Sequence, residues 1–533
     1  MNIAIFASAF YPSLGGVEEL CRQLALELMR QGHGVIVLTN RWPRDLPATE
    51  TLDGIAVYRL PFRLPEGSAK AAINYHLTHR RIEREMLTIL RSHKIDILHV
   101  QCVSSNAHYA MIAQEKLHLP LVVTLQGELT MDANQIFQKS PQAQEILRRS
   151  LDRADLVTAC SGKTLRDGEE FYGKPFGDRG RVVFNGVNLA DFATSTNNEQ
   201  RTTNNGDGGF TTKTQRHEGR GDGVTGYGLQ GTGLAGQPAG RGPAGAGQIE
   251  SAALPNHSRF EVLGSDSSSR PPYIFALGRM AKQKGFDVLI QAYAALRFND
   301  QRSMNSDQKQ GDDAADAAKN SEFRTLHSEG NMDAAPIESG ALPQHSRFEV
   351  LGSYSSSSAA LPKHSRFEVL GSGSFPTLVL AGDGPELEPL KALARELGLA
   401  DCVHFPGRAD HAAVVRYMQG CEFFVLSSRA DEGLPVVCAE AMGAGCAIVA
   451  TRSGGAPEAV LDGQTGLLVD KENVEQLAAA MQRLIGNPEL RKHLAVAGKA
   501  RAAEFAWPVI AQQYLAAYAA AAAASAENAG ARS

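Results

Sequence analysis

Two rhythms of apolar residues take turns along this chain. Short runs rich in aliphatic and β-branched residues predict strands at Ile3–Ala7, Val35–Thr39, Ile95–Val100, Leu121–Leu125, Leu156–Ala159 and Arg181–Phe184. Stretches with helical spacing fall between them; Val17, Leu20, Leu24, Ala25 and Leu28 mark one apolar face. The rhythm returns from Tyr273 to about Pro488, with strands predicted at Ile274–Leu277, Thr377–Ala381, Val403–Phe405, Phe423–Leu426, Ala447–Ala450 and Gly466–Val469. Near-continuous apolar strands alternating with helices predict an α/β chain with parallel sheets covered on both faces, built twice.

The rhythm stops in two places. From about Ala193 to Arg270 the chain is rich in Gly, Thr, Asn and Gln, and a second such stretch runs from about Asn299 to Ser374. Neither has a sustained apolar period with which to offset ordering entropy. Both carry the unit H-S-R-F-E-V-L-G-S, at His257–Ser265, His345–Ser353 and His364–Ser372. The irregular spacing argues against a solenoid, which needs a fixed period. The plainer reading is repetitive sequence inserted in surface loops; the sharper one is a partner-binding module that adds a strand to another sheet.

Composition narrows the classes. A formal net charge of -5 over 533 residues gives no footing for nucleic acid. Seven scattered cysteines without C-x-x-C spacing predict reduced, mostly buried thiols and a cytosolic protein, with neither a disulfide frame nor a metal site. Met1–Ala9 lacks a basic leader and reads as a first strand, and no apolar stretch reaches the roughly 20 residues of a membrane helix.

Candidate chemistry gathers after two predicted strands. Behind Phe423–Leu426 stands Ser427-Ser428-Arg429-Ala430-Asp431-Glu432-Gly433-Leu434-Pro435, then a helical run containing Glu440. Pro435 suits a first helical turn, and loops beyond strand ends are where open α/β sheets bind ligands. Free amides there favour an anion such as a diphosphate. Glu432 in the loop and Glu440, expected two turns into the helix, can accept hydrogen bonds from sugar hydroxyls. Behind Ile274–Leu277, Arg279 and Lys284 bracket a short loop and can balance a diphosphate leaving group without metal. A helix start and solvated charges explain each signal taken alone.

Together these motifs resemble the GT-B glycosyltransferases of the large retaining family four. Glu432 and Glu440 stand at the family's E-x7-E spacing, with Gly433-Leu434-Pro435 between them. Supporting matches are Gly15-Gly16-Val17-Glu18, Asn185-Gly186-Val187-Asn188, Gly278-Arg279, Lys284-Gly285, Gly382-Asp383-Gly384, Phe405-Pro406-Gly407, Gly454-Gly455-Ala456-Pro457-Glu458 and Phe505-Ala506-Trp507. The resemblance implies two facing Rossmann-like doubly wound domains with a donor cleft between them. Residues 1–188 would form an acceptor-side domain and 189–271 a linker holding the first insertion. Residues 272–502 would form the nucleotide-sugar domain, interrupted at 299–374, and 503–533 a helix returning to the first domain.

It further implies a nucleotide-diphosphate sugar as donor substrate, no separate cofactor or metal, and a glycan, lipid-linked or small-molecule acceptor. Arg279, Lys284 and Glu432 would carry the transfer. Gly16, Arg408, Gly433, Leu434, Pro435 and Glu440 would hold the donor, Glu440 by its ribose. Many relatives have His after the strand matching Leu121–Leu125. Here Gln126-Gly127-Glu128 follows, so Gln126 is expected to position substrate without moving protons, and Glu128 to face the acceptor. The basic helical stretch Ala69–Lys94 is compatible with a peripheral contact on the inner face of a membrane, and a solvated helix face, the plainer reading, explains the same residues. Two other classes compete. A dinucleotide-dependent oxidoreductase lacks its G-x-G-x-x-G after the first strand, and Gly382-Asp383-Gly384 has Leu387 in the third glycine's place. A non-catalytic sugar-nucleotide binder or scaffold would use the repeats for interaction.

Overall fold

The computed structural model describes residues 1–13, 15–64, 69–131, 136–192, 271–298 and 375–530. Both predicted low-complexity stretches, with their repeats, lie outside these residues. Met1–Ala292 with Ser374–Ser533 form one unit that contains both sheets.

The first sheet has eight strands in the order β3-β4-β2-β1-β5-β6-β7-β8. They are β1 Asn2–Ala7, β2 Gly34–Asn40, β3 Thr49–Leu52, β4 Ile55–Leu60, β5 Ile97–Gln101, β6 Leu121–Leu125, β7 Leu156–Ala159 and β8 Gly180–Val182. Every pairing is parallel except β3 with β4. The second sheet runs β11-β10-β9-β12-β13-β14, all parallel. Its strands are β9 Tyr273–Leu277, β10 Thr377–Ala381, β11 Val403–Gly407, β12 Phe423–Leu426, β13 Ala447–Thr451 and β14 Leu467–Val469. β1, β5, β6, β7, β12 and β13 are buried at nearly every position, which is why their sequences read as unbroken apolar runs. The expected doubly wound α/β architecture is therefore present twice. β8 begins one residue earlier than expected and ends two residues sooner. β3 and β4 are additions.

Helices cover both faces of the first sheet. One face packs on 82–90, 107–113 and 146–151; the other on Val17, Cys21, Leu24, Ala25 and Leu28. That second face also receives Trp507, Ile510, Ala511, Tyr514, Ala517, Tyr518 and Ala521 from the C-terminal helix Trp507–Gly530. The crossing is fastened where Val187 bridges Ala506: the Val187 amide donates to Phe505 O at 2.7 Å and the Trp507 amide to Val187 O at 3.3 Å. Gly186 lies under the indole, and a Cβ there would fall 2.3 Å from Trp507. All seven cysteines are free thiols, five of them buried. Among the described residues no helix is long and apolar enough to cross a membrane.

Candidate functional site

The loops leaving β9 and β12, neighbours in the second sheet, are laced together by backbone groups. Lys282–Lys284 form one 3-10 turn that ends at Gly285 with φ +62. A Cβ at Gly285 would sit 2.2 Å from Ser427 O, so only glycine allows the two backbones to meet. The Ser427 hydroxyl donates to Lys284 O at 2.9 Å, and the amides of Arg429 and Ala430 donate to Gln283 O at 2.9 and 3.2 Å. This lacing brings Lys284 Nζ to 2.8 Å from Glu432 Oε1. Glu432 is 8% exposed and also accepts from the Ser428 hydroxyl. A carboxylate so sheltered needs its cation, since an unpaired buried charge is strongly unfavourable.

A third loop, after β13, supports Glu432 from behind. The Gly455 amide donates to Glu432 O at 2.9 Å. A Cβ on Gly454, at φ +53, would lie 1.9 Å from the same carbonyl, and one on Gly455 would lie 2.2 Å from Gly433 O.

The helix behind this loop is Val436–Gly443. Pro435 stands just outside it as the cap residue, at φ -73 and ψ 90, and not in its first turn. Glu440 is consequently the fifth helical residue, early in the second turn and not two turns in. Its carboxylate is half-buried and has no hydrogen-bond partner among the described residues. Burial pushes its pKa up, nearby His411 pulls it down and Asp191 pushes it up again. Cys438 lies in the same helix, fully buried. Burial drives its thiol pKa upward; the charges of Glu432 and Glu440 add to that rise and Lys284 opposes it. One buried atom thus registers three of the predicted site residues.

The other residues expected to hold the donor occupy separate elements. Arg279 is exposed on the loop leading to Lys284, and Arg408 is exposed just after β11; neither makes an ion pair with a described residue. Leu434 and Pro435 are buried behind Glu432. Gly16 is the exposed first residue of the helix Gly16–Arg30, and a Cβ there would meet nothing within 4 Å. The Gly382-Asp383-Gly384 pair serves packing. Cβ atoms there would lie 1.9 Å from Gly278 O and 2.4 Å from Met280 O, so these glycines let their loop press against the one bearing Arg279.

The first sheet contributes Gln126 and Glu128, and both differ from expectation. The Gln126 side chain is 7% exposed and spoken for: Nε2 donates to Gln101 Oε1 at 3.0 Å, and Oε1 accepts from Asn185 Nδ2 at 3.1 Å. What it turns toward the second sheet is its backbone carbonyl, which a Cβ on Gly433 would approach to 2.7 Å. Glu128 is 4% exposed, its carboxylate turned into the protein. Its two oxygens accept from the amides of Val103 at 2.9 Å and Gln126 at 2.8 Å, tying together the loops after β5 and β6. Burial raises its pKa while these backbone amides lower it.

Three residues join the site that reading by position passes over. Ser428 shares Glu432 with Lys284. Asp191 and His411 pair at 2.8 Å, and both act electrostatically on Glu440. Only Asp410-His411, a capping Asp opening a helix, is marked in sequence, and the Asp410 carboxylate does accept from the Ala413 amide.

Comparison with known proteins places this geometry in a family. Residues 14–191 match the model described as Glycosyltransferase Family 4, and residues 372–501 the model described as Glycosyl transferases group 1. Over 128 residues the chain is 36% identical to a GDP-mannose-dependent alpha-(1-6)-phosphatidylinositol monomannoside mannosyltransferase of Mycolicibacterium smegmatis, covering 23% of this chain and 34% of that one. Over 121 residues it is 39% identical to the lipopolysaccharide core biosynthesis glycosyltransferase LpsD of Rhizobium meliloti, covering 23% and 34%. The chain spans about a third of the length of the curated relatives it matches. In fold it is similar to the sucrose-phosphate synthase of Thermosynechococcus elongatus, with TM-score 0.57 and 16% identity over 97% of this chain and 98% of that one. It is likewise similar to HepE of Anabaena solved with UDP, with TM-score 0.55, 16% identity and the same coverage. With one family model on each sheet and the two-sheet architecture of these structures, the chain belongs to the group 1, family four glycosyltransferases of GT-B fold.

Proposed function

We propose that this chain transfers a sugar, with retention at the anomeric carbon, from a nucleoside-diphosphate donor to a glycan, lipid-linked or small-molecule acceptor. The setting would be cell-surface polysaccharide or glycolipid assembly at the cytoplasmic side. The observation that carries the reading is the Lys284 ammonium resting 2.8 Å from the Glu432 carboxylate at the mouth of two strand loops. An ammonium has three donor protons. One engages Glu432, and the others are free to meet the oxygens of a leaving diphosphate, where charge accumulates as the glycosidic bond breaks.

Arg279 adds a second cation on the same loop, so Arg279 and Lys284 neutralise the leaving group without a metal. Glu432, paired with Lys284, accepts hydrogen bonds from hydroxyls of the transferred sugar. Gly433 lets the backbone approach that sugar, with Leu434 and Pro435 fixing the loop behind it. Glu440 accepts the ribose hydroxyls, Arg408 borders the base, and Gly16 leaves room for the phosphates. On the acceptor side Gln126 contributes through its backbone carbonyl, since its amide is committed elsewhere. Residues 1–188 would take the acceptor, 272–502 the donor, and 503–533 would tie the two together.

The relatives' names make GDP-mannose a first donor to test, and the solved HepE complex makes UDP a second. A thermal-shift screen against UDP-, GDP- and ADP-sugars identifies the base, because stabilisation grows with the logarithm of concentration over Kd. With that donor, Lys284→Ala and Glu432→Ala should each lower turnover by about 10²-fold, the order seen when one donor to a developing charge is removed. Equal rates in wild type and both variants would refute the reading. An acceptor at a membrane surface would be met by the helix Ala69–Ser92, where Ile73 is 61% and Leu77 76% exposed. Sedimentation with anionic liposomes at low salt tests that contact.

A further inference from the structure

Two helices of the second sheet end on cysteines that meet. The helix His411–Gly420 stops at Cys421, whose backbone is extended at φ -81 and ψ 155 and whose amide donates to Tyr417 O at 3.1 Å. Two residues later β12 begins. The helix Val436–Gly443 closes differently. Gly445, at φ +82, lets its own amide donate to Met442 O at 3.0 Å and the Cys446 amide to Ala441 O at 2.9 Å. That pair of bonds is the left-handed glycine ending that turns a chain sharply off a helix, and β13 starts at the next residue. Because β12 and β13 are parallel neighbours with Phe423 opposite Ala447, the two endings bring Cys421 and Cys446 to the same end of the sheet.

The side chains face one another. Cys421 Sγ lies 3.7 Å from Cys446 Sγ, and both thiols donate to Met418 O, at 3.3 and 2.7 Å. That carbonyl is in the last turn of its helix, where no intrahelical amide is left to meet it. Cys421 is partly exposed, whereas Cys446 is only 3% exposed. A disulfide holds its sulfurs about 2.05 Å apart, so side-chain rotation has about 1.7 Å to close from the observed 3.7 Å. The two cysteines stand 25 positions apart, and the segment between them holds Ser428, Glu432 and Glu440.

We propose that Cys421 and Cys446 are a dithiol–disulfide couple, closed by an oxidising small-molecule disulfide and reopened by thiols, which seals this segment into a covalent ring. The order of events follows exposure. The Cys421 thiolate attacks one sulfur of the small disulfide; that S–S bond breaks, one small thiolate leaves, and a mixed disulfide forms on Cys421. The Cys446 thiolate then attacks the Cys421 sulfur and expels the second small thiolate. Two electrons pass from the protein thiols to the small disulfide, and the two protein protons end on the departing thiols. Burial and the neighbouring Cys446 push the Cys421 pKa up, so its thiolate is scarce near neutral pH and the exchange is slow there. The closed ring costs Met418 O its two thiol donors but restricts the unfolded chain far more than the folded one, so it stabilises. None of this depends on which sugar nucleotide the chain takes.

The test incubates the full chain, freed of reductant, with oxidised glutathione at about pH 8.5, where thiolate is more plentiful. Remaining thiols are trapped with a maleimide and the peptides mapped without reduction. Wild type should give a Cys421–Cys446 linked peptide that dithiothreitol releases. Cys446→Ser, whose hydroxyl can still donate to Met418 O, should stop at one glutathione on Cys421. Cys421→Ser should leave Cys446 unmodified, because the sheltered thiol is not attacked first. Melting curves establish that each variant folds, and the linked wild type should melt about 5 °C above its reduced form. A lasting glutathione adduct on Cys421 of wild type, without linkage, would show that the thiols do not reach one another and overturns the proposal. So does a Cys421 that stays unmodified in both wild type and Cys446→Ser, or linkage that appears only above the melting temperature. A linked chain that melts no higher than the reduced one overturns the sealing role.

Discussion

Glu432 is held where it is largely by residues without side chains. Its carbonyl is approached by Gly454 at a positive φ that other residues adopt only with strain, and its neighbour Gly433 fits between Gln126 O and Cys160 Sγ. The sequence shows Gly454-Gly455 as a motif and is silent on what it supports, because the atom it must avoid lies in another loop. Gly454→Ala combines left-handed strain with a Cβ 1.9 Å from Glu432 O. It should lower the free energy of unfolding by more than about 2 kcal/mol in urea titration and reduce transfer as well. Gly463 has φ +70 with nothing within 4 Å of a Cβ, so Gly463→Ala isolates the strain. Its expected cost is about 1 kcal/mol, with transfer unchanged.

At the scale of elements, the long apolar strands were legible and the short amphipathic ones were not. β3 is an edge strand exposed at alternate positions, and β4 pairs with it across Asp53-Gly54, where φ is 51 and 86. Asp-Gly at two left-handed positions is a recognised hairpin turn, so a local sign was present in the residues. The C-terminal helix brings a different consequence. Its Tyr518 hydroxyl lies 2.8 Å from His99 Nδ1 on β5, while His99 Nε2 lies 2.7 Å from Thr124 Oγ1 on β6. Burial pushes the His99 pKa down to about 3, so the folded chain keeps this ring neutral while the unfolded chain protonates it near its ordinary value of 6.5. The unfolded state therefore binds more protons between those two values. Stability should fall by about 1.4 kcal/mol per pH unit as pH drops below about 6.5 from this residue alone. Urea titrations at pH 7, 6 and 5 measure the slope, and His99→Gln should reduce it by one proton's worth.

For the whole molecule, the contacts that join the two sheets include the Val187–Ala506 bridge, the close approach of Gly433 to Gln126, and a clamp made by Glu458. That carboxylate accepts from the amides of Gly162 at 2.6 Å and Lys163 at 2.9 Å, the first residues of the helix Gly162–Tyr172. Two unpaired amides at a helix start favour an anion there, and this one arrives from the other sheet. Glu458→Ala should widen the distribution of spacings between the sheets in small-angle scattering and raise the donor KM several-fold. Glu458→Gln, which keeps one acceptor oxygen, should fall between. An unchanged scattering profile and KM in Glu458→Ala would mean the clamp does not set the spacing.

Side-chain periodicity is a property of a few consecutive residues, so the sequence by itself determined most of the strands, the helices between them and two parallel sheets. It also determined which loops carry Arg279, Lys284 and Glu432, and that Glu440 stands on the helix that follows. Whether a polar group is free to meet a substrate depends on neighbours far away in the chain, and that only the tertiary structure decided. Lys284 and Glu432 pair across 148 positions. Gln126 and Glu128 have the chemistry of a site but spend it on Gln101, Asn185 and two backbone amides. Asp191 and His411, 220 positions apart, pair at 2.8 Å, and neither announces the other in sequence.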